Sequence, residues 1–293
     1  MWDKPAIQLL AGDRLHLQHG PIDVVLRAQG EPEALQAAYR AAAKRFETIL
    51  PELVGELSEL RRPIADAPNA DTPVAKRMIA ACAPFAGIFI TPMAAVAGSV
   101  ADELLATMLA AAPLEKAFVN DGGDIAVHIA EGESLTIGIA GDFSGGEIPA
   151  MNGSVTLRAV DGVGGIATSG WQGRSFSLGI ADSVTVLAQN AASADAAATL
   201  IANAVNVEAP GITRRPAREL DPDSDLGDLL ITQMVERLTL DQRAEALAKG
   251  LARAAELRQR GLIIDAALTC GAITETLGGL LPATRIKNLE HAS

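Results

Sequence analysis

Residues 117–129 read Ala-Phe-Val-Asn-Asp-Gly-Gly-Asp-Ile-Ala-Val-His-Ile. Aromatic and β-branched residues lead into a pair of glycines, and β-branched residues lead out again. The pattern predicts strands over 117–120 and 125–129 joined by a tight turn. Adjacent glycines reach positive φ without strain and let a ligand approach the backbone. Asn120, Asp121 and Asp124 place three potential acceptors around them. Two readings stand: an ordinary hairpin turn, or a turn that touches a ligand.

Outward from this hairpin the chain stays rich in strand signals. Further strands are predicted over 134–140, 154–160, 165–168, 175–180 and 183–188, punctuated by Gly, Asp and Asn. Upstream, 16–27 reads as a hairpin turning at Gly20-Pro21. Residues 31–50 have helical spacing, with Leu35, Ala38, Ala42, Phe46 and Leu50 on one face and Pro51 as the stop. A polar, Pro-containing loop spans 61–73, and a short helix over 74–83 ends at Pro84. Downstream, helices are predicted over 193–205 and 238–261, and the apolar, small-residue stretch 263–280 reads as a buried helix. Strands in series flanked by helices define an α+β class: a layered domain with a mixed, largely antiparallel sheet. One domain is expected over 1–293, with a motif-bearing core of about 90–206 and a C-terminal helical segment of about 227–285.

The chain has 293 residues, 49% of them apolar but only 3% aromatic. Its core must therefore be packed from Ala, Val, Leu and Ile with backbones close together. A formal net charge of −12 repels phosphate backbones and anionic lipid, which argues against nucleic-acid and membrane partners. A small anionic ligand held by backbone N–H groups or a metal is compatible with that charge. Cys82 and Cys270 sit in Ala-rich surroundings and are expected to be buried thiols in a reducing compartment. The first residues show no basic stretch followed by an apolar run, so no signal peptide is expected and the predicted location is cytoplasmic. The longest apolar stretch, 79–97, contains two prolines and reads as a core segment.

Four further stretches carry chemistry. In Ser193-Ala194-Asp195-Ala196-Ala197-Ala198-Thr199, Ser193 reads as an N-cap. Asp195 and Thr199 are four apart, so a carboxylate and a hydroxyl share one helix face. Such a pair suits Mg²⁺, which keeps its other positions for water and phosphate, and the helix N-terminus offers N–H groups to the same phosphate. Alternatively, they are a dipole-favouring Asp and a packed Thr. Gly162–Gly170 has a Gly-rich lead and a Thr168-Ser169-Gly170 turn, which reads as an anion cradle or as a plain loop. Thr91–Ser99, followed by Asp102 and Glu103, permits close backbone approach, either for packing or to point a carbonyl at a metal. Asp221–Asp228 alternates aspartates, but Leu226 and Thr232 stand where an EF-hand needs Gly and Glu, so it reads as a solvated loop capping a helix from Leu229. The histidines His16, His19, His128 and His291 are scattered, and none pairs with a nucleophile.

Taken in order, these stretches resemble the ApbE-like (FMN transferase) superfamily. The resemblance lies in Ala95-Val96-Ala97-Gly98, Asn120–Asp124, Ala167-Thr168-Ser169-Gly170, Ser183–Val186 and Ala194–Thr199, and covers about residues 90–206. The flanks, including 222–228, look like a cytoplasmic branch linked to sulfide assimilation and homocysteine formation. The resemblance implies an ApbE-like fold, transfer of FMN from FAD with Mg²⁺, and metal ligands at Asp195, Thr199 and the carbonyl near Ala95. It also implies flavin or nucleotide contacts near Asn120, Gly122, Gly123, Asp124, Thr168 and Ser169. The chain departs from the family pattern at Gly98, where a lysine is missing, and at Trp171–Asp182, which lacks the family's His, Pro and Thr. Arg174 is the new cation there, facing a phosphate or carboxylate or simply solvent. Three functions follow as expectations: Mg²⁺-dependent phosphoryl or nucleotidyl transfer on FAD or FMN, a non-catalytic flavin- or nucleotide-binding accessory of sulfur metabolism, or a scaffold that kept the fold. A small-molecule nucleotide ligand and a homo-oligomeric assembly are the expected partners.

Overall fold

The computed structural model describes residues 4–142 and 150–281. Met1–Asp3, His291 and the tail of the expected C-terminal segment lie outside the described residues. The first three strands, β1 (Ala6–Leu10), β2 (Arg14–His19) and β3 (Ile22–Gln29), form a meander, with the expected turn at Gly20-Pro21. Helix α1 (Pro32–Gly55) follows, then a single turn α2 (Leu57–Leu60), α3 (Pro73–Cys82) and α4 (Val96–Ala111). Pro51 does not stop α1, as the sequence led us to expect. Ile49, Leu50 and Leu53 are all buried on its inner face, and their packing outweighs the one hydrogen bond that proline removes.

Strands β4 (Lys116–Asp121) and β5 (Asp124–Ile129) form the predicted hairpin, with Asn120 opposite Ile125 and Asp121 opposite Asp124. An inserted pair, β6 (Ser134–Asp142) and β7 (Ala150–Arg158), forms its own two-stranded sheet before the chain returns through β8 (Gly165–Ser169) and β9 (Ser183–Ala188). Helix α5 (Ala191–Ala204), a second small sheet of β10 (Ile212–Pro216) and β11 (Leu230–Val235), helix α6 (Leu240–Gln259) and the hairpin β12 (Asp265–Cys270) and β13 (Ile273–Thr276) complete the described chain. The main sheet runs β1-β2-β3-β4-β5-β8-β9-β12-β13, and each of these pairings is antiparallel. The class is α+β, as expected, with the sheet antiparallel rather than mixed.

Three expectations are corrected here. Residues 263–280 form a hairpin instead of a helix, so the C-terminal segment is helical only over α6. Strand β12 is bonded on both sides, to β9 and β13, and is buried on nearly every residue, which erases the alternation that marks a strand. Leu229 starts no helix, because β11 follows and pairs with β10. Residues 175–180 are not a strand either. Their backbone bonds go elsewhere: Ile180 N–H donates to Val205 O, and Ser177 O accepts from Thr232 N–H.

The helices cover one face of the sheet. One cluster joins Leu17, Val24, Leu26 and Val119 to Phe46, Met78 and Leu104. A second joins Val184, Val186 and Leu268 to Ala194–Ala202 and to Leu247 and Leu257. On the opposite face, Val155 and Leu157 of β7 pack on Val127, Ile166 and Leu187. The stretch Pro92–Ala111 is long and apolar enough to cross a membrane, yet half of it is buried inside this core.

Alanine and glycine let α4 and α5 meet almost backbone to backbone. A methyl group on Gly98 would sit 2.3 Å from the Ala191 carbonyl oxygen. Gly164 and Gly165, read as part of an anion cradle, allow an equally close approach of β8 to the entry of α5: their added methyls would lie 2.2 Å from Gln189 O and 2.1 Å from Ala191 N. Gly98→Ala is therefore expected to destabilise by about 1–3 kcal/mol in urea unfolding despite alanine's better helix propensity. Gly55→Ala, where a methyl meets nothing within 4 Å, is expected to be neutral or stabilising. Both cysteines are free and buried, and burial pushes the Cys270 thiol up to about 11 and Cys82 higher still. At pH 8 native protein is expected to leave both thiols unlabelled by an aromatic disulfide reagent, with two reacting after denaturation.

Candidate functional site

The cleft lies where the β4–β5 turn, the end of β8 and the first turns of α5 meet. Its main lobe has a volume of about 470 Å³. Asn120, Gly122, Gly123 and Asp124 line it from the turn, Thr168 and Ser169 from β8, and Asp195 and Thr199 from α5. Arg174 enters from the loop after β8. The positions named from the sequence thus share one cavity, apart from Ala95. That residue is fully buried and lines neither lobe, while its neighbours Ala94, Val96 and Ala97 line the second.

The turn is an ordinary hairpin and a cleft wall at once. Gly122 and Gly123 have φ of +63° and +116°, and Asn120 Oδ1 accepts the Gly123 N–H at 2.8 Å. The Arg174 guanidinium lies against Gly122, so a methyl there would meet its Nη1 at 3.2 Å. Helix α5 begins two residues before the expected cap: Asn190 is the N-cap, and its side chain accepts from Ser193 N–H at 2.8 Å. Asp195 and Thr199 still fall on one face, because their spacing fixes that whatever the start.

Two carboxylates set the electrostatics. Asp195 Oδ2 accepts the Gly98 N–H at 3.1 Å, and Asp124 Oδ1 accepts the Thr168 N–H at 3.3 Å. Burial pushes Asp124 up to about 7 and Asp195 well above the usual carboxylate range, and Asp124's charge raises Asp195 further. Asp121 is also pushed up to about 7 by burial, with Arg174 pulling the other way. Burial thus holds Asp124 and Asp195 toward their neutral form, and Arg174 in the main lobe and Arg61 in the second are cations that line the cleft beside them. Among the described residues, no three His, Cys, Asp or Glu side chains converge to hold a metal alone. The donors present are hard oxygens, two carboxylates and a hydroxyl, with room for ligand oxygens. That set fits Mg²⁺, which prefers few protein ligands and substrate phosphates.

The sequence reading missed several lining residues. Asp182 and Thr185 border the polar side, and Thr185 Oγ1 lies 3.0 Å from Thr168 Oγ1. Ile125, Ile137, Val155, Ile166 and Leu281 form an aliphatic end. No local signal marks an apolar residue as a cleft wall rather than core. A second lobe of about 360 Å³ continues past Asp124, Asp195, Thr199 and Arg174. It is bordered by Thr91 and by Asp221, Asp223 and Asp225, and Thr91 Oγ1 donates to Asp225. Two stretches singled out separately in the sequence thus face each other across it.

An antiparallel α+β sheet with a carboxylate- and hydroxyl-lined cleft at its strand ends defines the class. The chain belongs to the ApbE-like family whose model is described as "AbpE bacteria", which matches residues 7–280. It is similar to a UPF0280 protein of Methanothrix thermoacetophila, 32% identical over 71% of this chain and 83% of the relative. It is also 32% identical to the UPF0280 protein MK0206 of Methanopyrus kandleri, over 73% of this chain and 83% of that one. Among solved structures, the ApbE protein of Thermotoga maritima aligns over 71% of this chain and 88% of its own, with 15% identity and a TM-score of 0.41. The apo flavinyl transferase ApbE of Pseudomonas stutzeri covers 94% and 95%, with 13% identity and a TM-score of 0.40.

The residue that seats α5 in this site is Asp102 of α4. Its Oδ1 and Oδ2 accept the N–H groups of Ala191 and Ala192, each at 2.9 Å. Asp102→Ala is expected to cost about 2 kcal/mol or more in chemical unfolding, since two buried donors lose their acceptor. Ser99→Ala removes a buried hydroxyl that has no partner among the described residues. That change is expected to be neutral or stabilising.

Proposed function

We propose that this cleft binds a flavin nucleotide with Mg²⁺ and catalyses transfer at the pyrophosphate of FAD. One observation supports the reading above others: the turn glycines, the Thr168-Ser169 pair, Arg174, Asp195 and Thr199 border a single cavity. The family to which the chain belongs, with the resemblance of its motifs to the FMN transferases, favours a flavin over other nucleotides.

Asp195 and Thr199 would hold the cation, with Asp124 beside them; the further ligand that the resemblance implies, a carbonyl near Ala95, falls on a stretch whose Ala94 and Val96 line the second lobe while Ala95 itself does not. When bound there, the metal would supply charge neutralisation on the pyrophosphate. The chain supplies the rest. The Gly98 and Thr168 N–H groups each take one carboxylate oxygen and fix the orientation of Asp195 and Asp124. Arg174, beside the glycine turn, offers donors to phosphate oxygens. The aliphatic end formed by Ile137, Val155 and Leu281 keeps water from one side of the ligand. In the transfer, an acceptor hydroxyl oxygen bonds to the flavin-side phosphorus, the bond to the bridging oxygen breaks and AMP leaves. The hydroxyl proton passes to solvent.

The rebuilt segment Trp171–Asp182 favours a second reading, a flavin-binding accessory protein without turnover, working in the cytoplasm in sulfur metabolism. A single experiment separates the two. Purified protein with FAD and Mg²⁺ is assayed for AMP by chromatography, and flavin binding is followed by absorbance. Asp195→Ala is expected to lower Mg²⁺-dependent AMP release by about a hundredfold or more with circular dichroism unchanged. Unaltered turnover in that variant would remove Asp195 from the mechanism. Flavin retained by wild-type protein without AMP release would establish the accessory role.

A further inference from the structure

Asp182 borders the main lobe, yet the reaction outlined above gives it no task. Its carboxylate joins two segments far apart in sequence. Oδ1 accepts the indole N–H of Trp171 at 3.0 Å, and Oδ2 accepts the Gly271 N–H at 2.5 Å. The backbone reinforces the junction: Asp182 N–H donates to Thr269 O at 2.9 Å, and Trp171 N–H donates to Ala181 O at 3.0 Å. A methyl on Gly170 would lie 2.3 Å from the Asp182 carbonyl oxygen, so the loop sits directly on this residue. Gly173 N–H then donates back to Gly170 O at 3.1 Å, which closes a tight turn. Arg174 is the next residue.

Arg174 itself is weakly held. It is exposed, and its Nη2 reaches the Pro21 carbonyl at 3.5 Å. The place of its guanidinium against Gly122 therefore depends on the turn before it. That turn is clamped to the β12–β13 turn by the two oxygens of one side chain. Only a carboxylate offers two acceptors and no donor here, so Asn in its place would set an NH₂ group against one of the two N–H donors.

We infer that Asp182 is a positioning residue: by tying Trp171 to Gly271 it fixes the turn that holds Arg174 over Gly122, and through Arg174 it sets the affinity for a phosphate-bearing ligand. The ligand part rests on the nucleotide reading given above, whereas the link from Asp182 to Arg174 is a property of the free protein.

Two measurements test it, each in a Trp2→Phe background that leaves Trp171 as the sole tryptophan. The first uses no ligand. Phenylglyoxal labelling of Arg174, read by peptide mass spectrometry, is expected to change rate by about threefold or more in Asp182→Asn. The Trp171 emission maximum should move in the same variant, as its indole loses a charged acceptor. Trp171→Phe, which removes only the indole donor, should alter labelling in the same direction. Unchanged Arg174 labelling in Asp182→Asn overturns the inference whatever the ligand does. The second measurement is calorimetric titration of FAD with Mg²⁺ into wild type, Asp182→Asn, Arg174→Ala and the double variant. Each single variant is expected to bind about tenfold more weakly, and the double variant no more weakly than Arg174→Ala alone. Losses that multiply would show that Asp182 acts on the fold at large, and the inference falls. If wild type binds no FAD while Arg174 labelling still responds, the nucleotide reading fails and the positioning role stands.

Discussion

Two helix beginnings satisfy each other in this protein, and the rest of the site depends on that exchange. The first turn of α5 leaves N–H groups unbonded, and Asp102 of α4 accepts two of them. The first turn of α4 leaves its own, and Asp195 of α5 accepts the one on Gly98. The exchange needs the helices almost in backbone contact, which is why Gly98 faces Ala191 and why α5 is built from alanine. A low aromatic content, which first looks like a weak core, is what allows this approach. The same contact sets Asp195 in the cleft that the β4–β5 turn lines.

The crowding of acids at that point is a stored asymmetry. Asp121, Asp124 and Asp195 are each held above the ordinary carboxylate range mainly by burial, and Arg174 and Arg61 are cations that line the two lobes beside them. Buried acids gathered at a cleft in this way mark a candidate functional site. The two lobes of the cleft meet at Asp124, Asp195 and Arg174.

The strands around the glycine pair were readable in the sequence because β4 and β5 carry β-branched residues up to a turn that only glycines allow. The cleft lining was readable for the same local reason: Asp195 and Thr199 share a helix face whatever residue caps the helix, and Asn120 to Asp124 surround a turn. What could not be read depends on distant partners. Strand β12 looked helical because burial on both faces removes its alternation. Helix α1 ran through Pro51 because Leu50 and Leu53 pack on the sheet. Asp182 seemed part of a degraded motif until its two partners, Trp171 and Gly271, appeared on either side of it. Ala95, the metal-ligand position of the resemblance, lies one residue away from the cleft lining.

Among the described residues the β6–β7 pair shares no ladder bonds with the main sheet, and it enters the chain between two strands that are themselves neighbours. It nevertheless lends Ile137, Gly138 and Val155 to the cleft. The polar floor is thus built into the scaffold while part of the wall is carried on an appendage. Descendants of this fold can lengthen, shorten or recolour that appendage and admit a differently shaped guest, and the strands that hold Asp124 and Thr168 need not register the change.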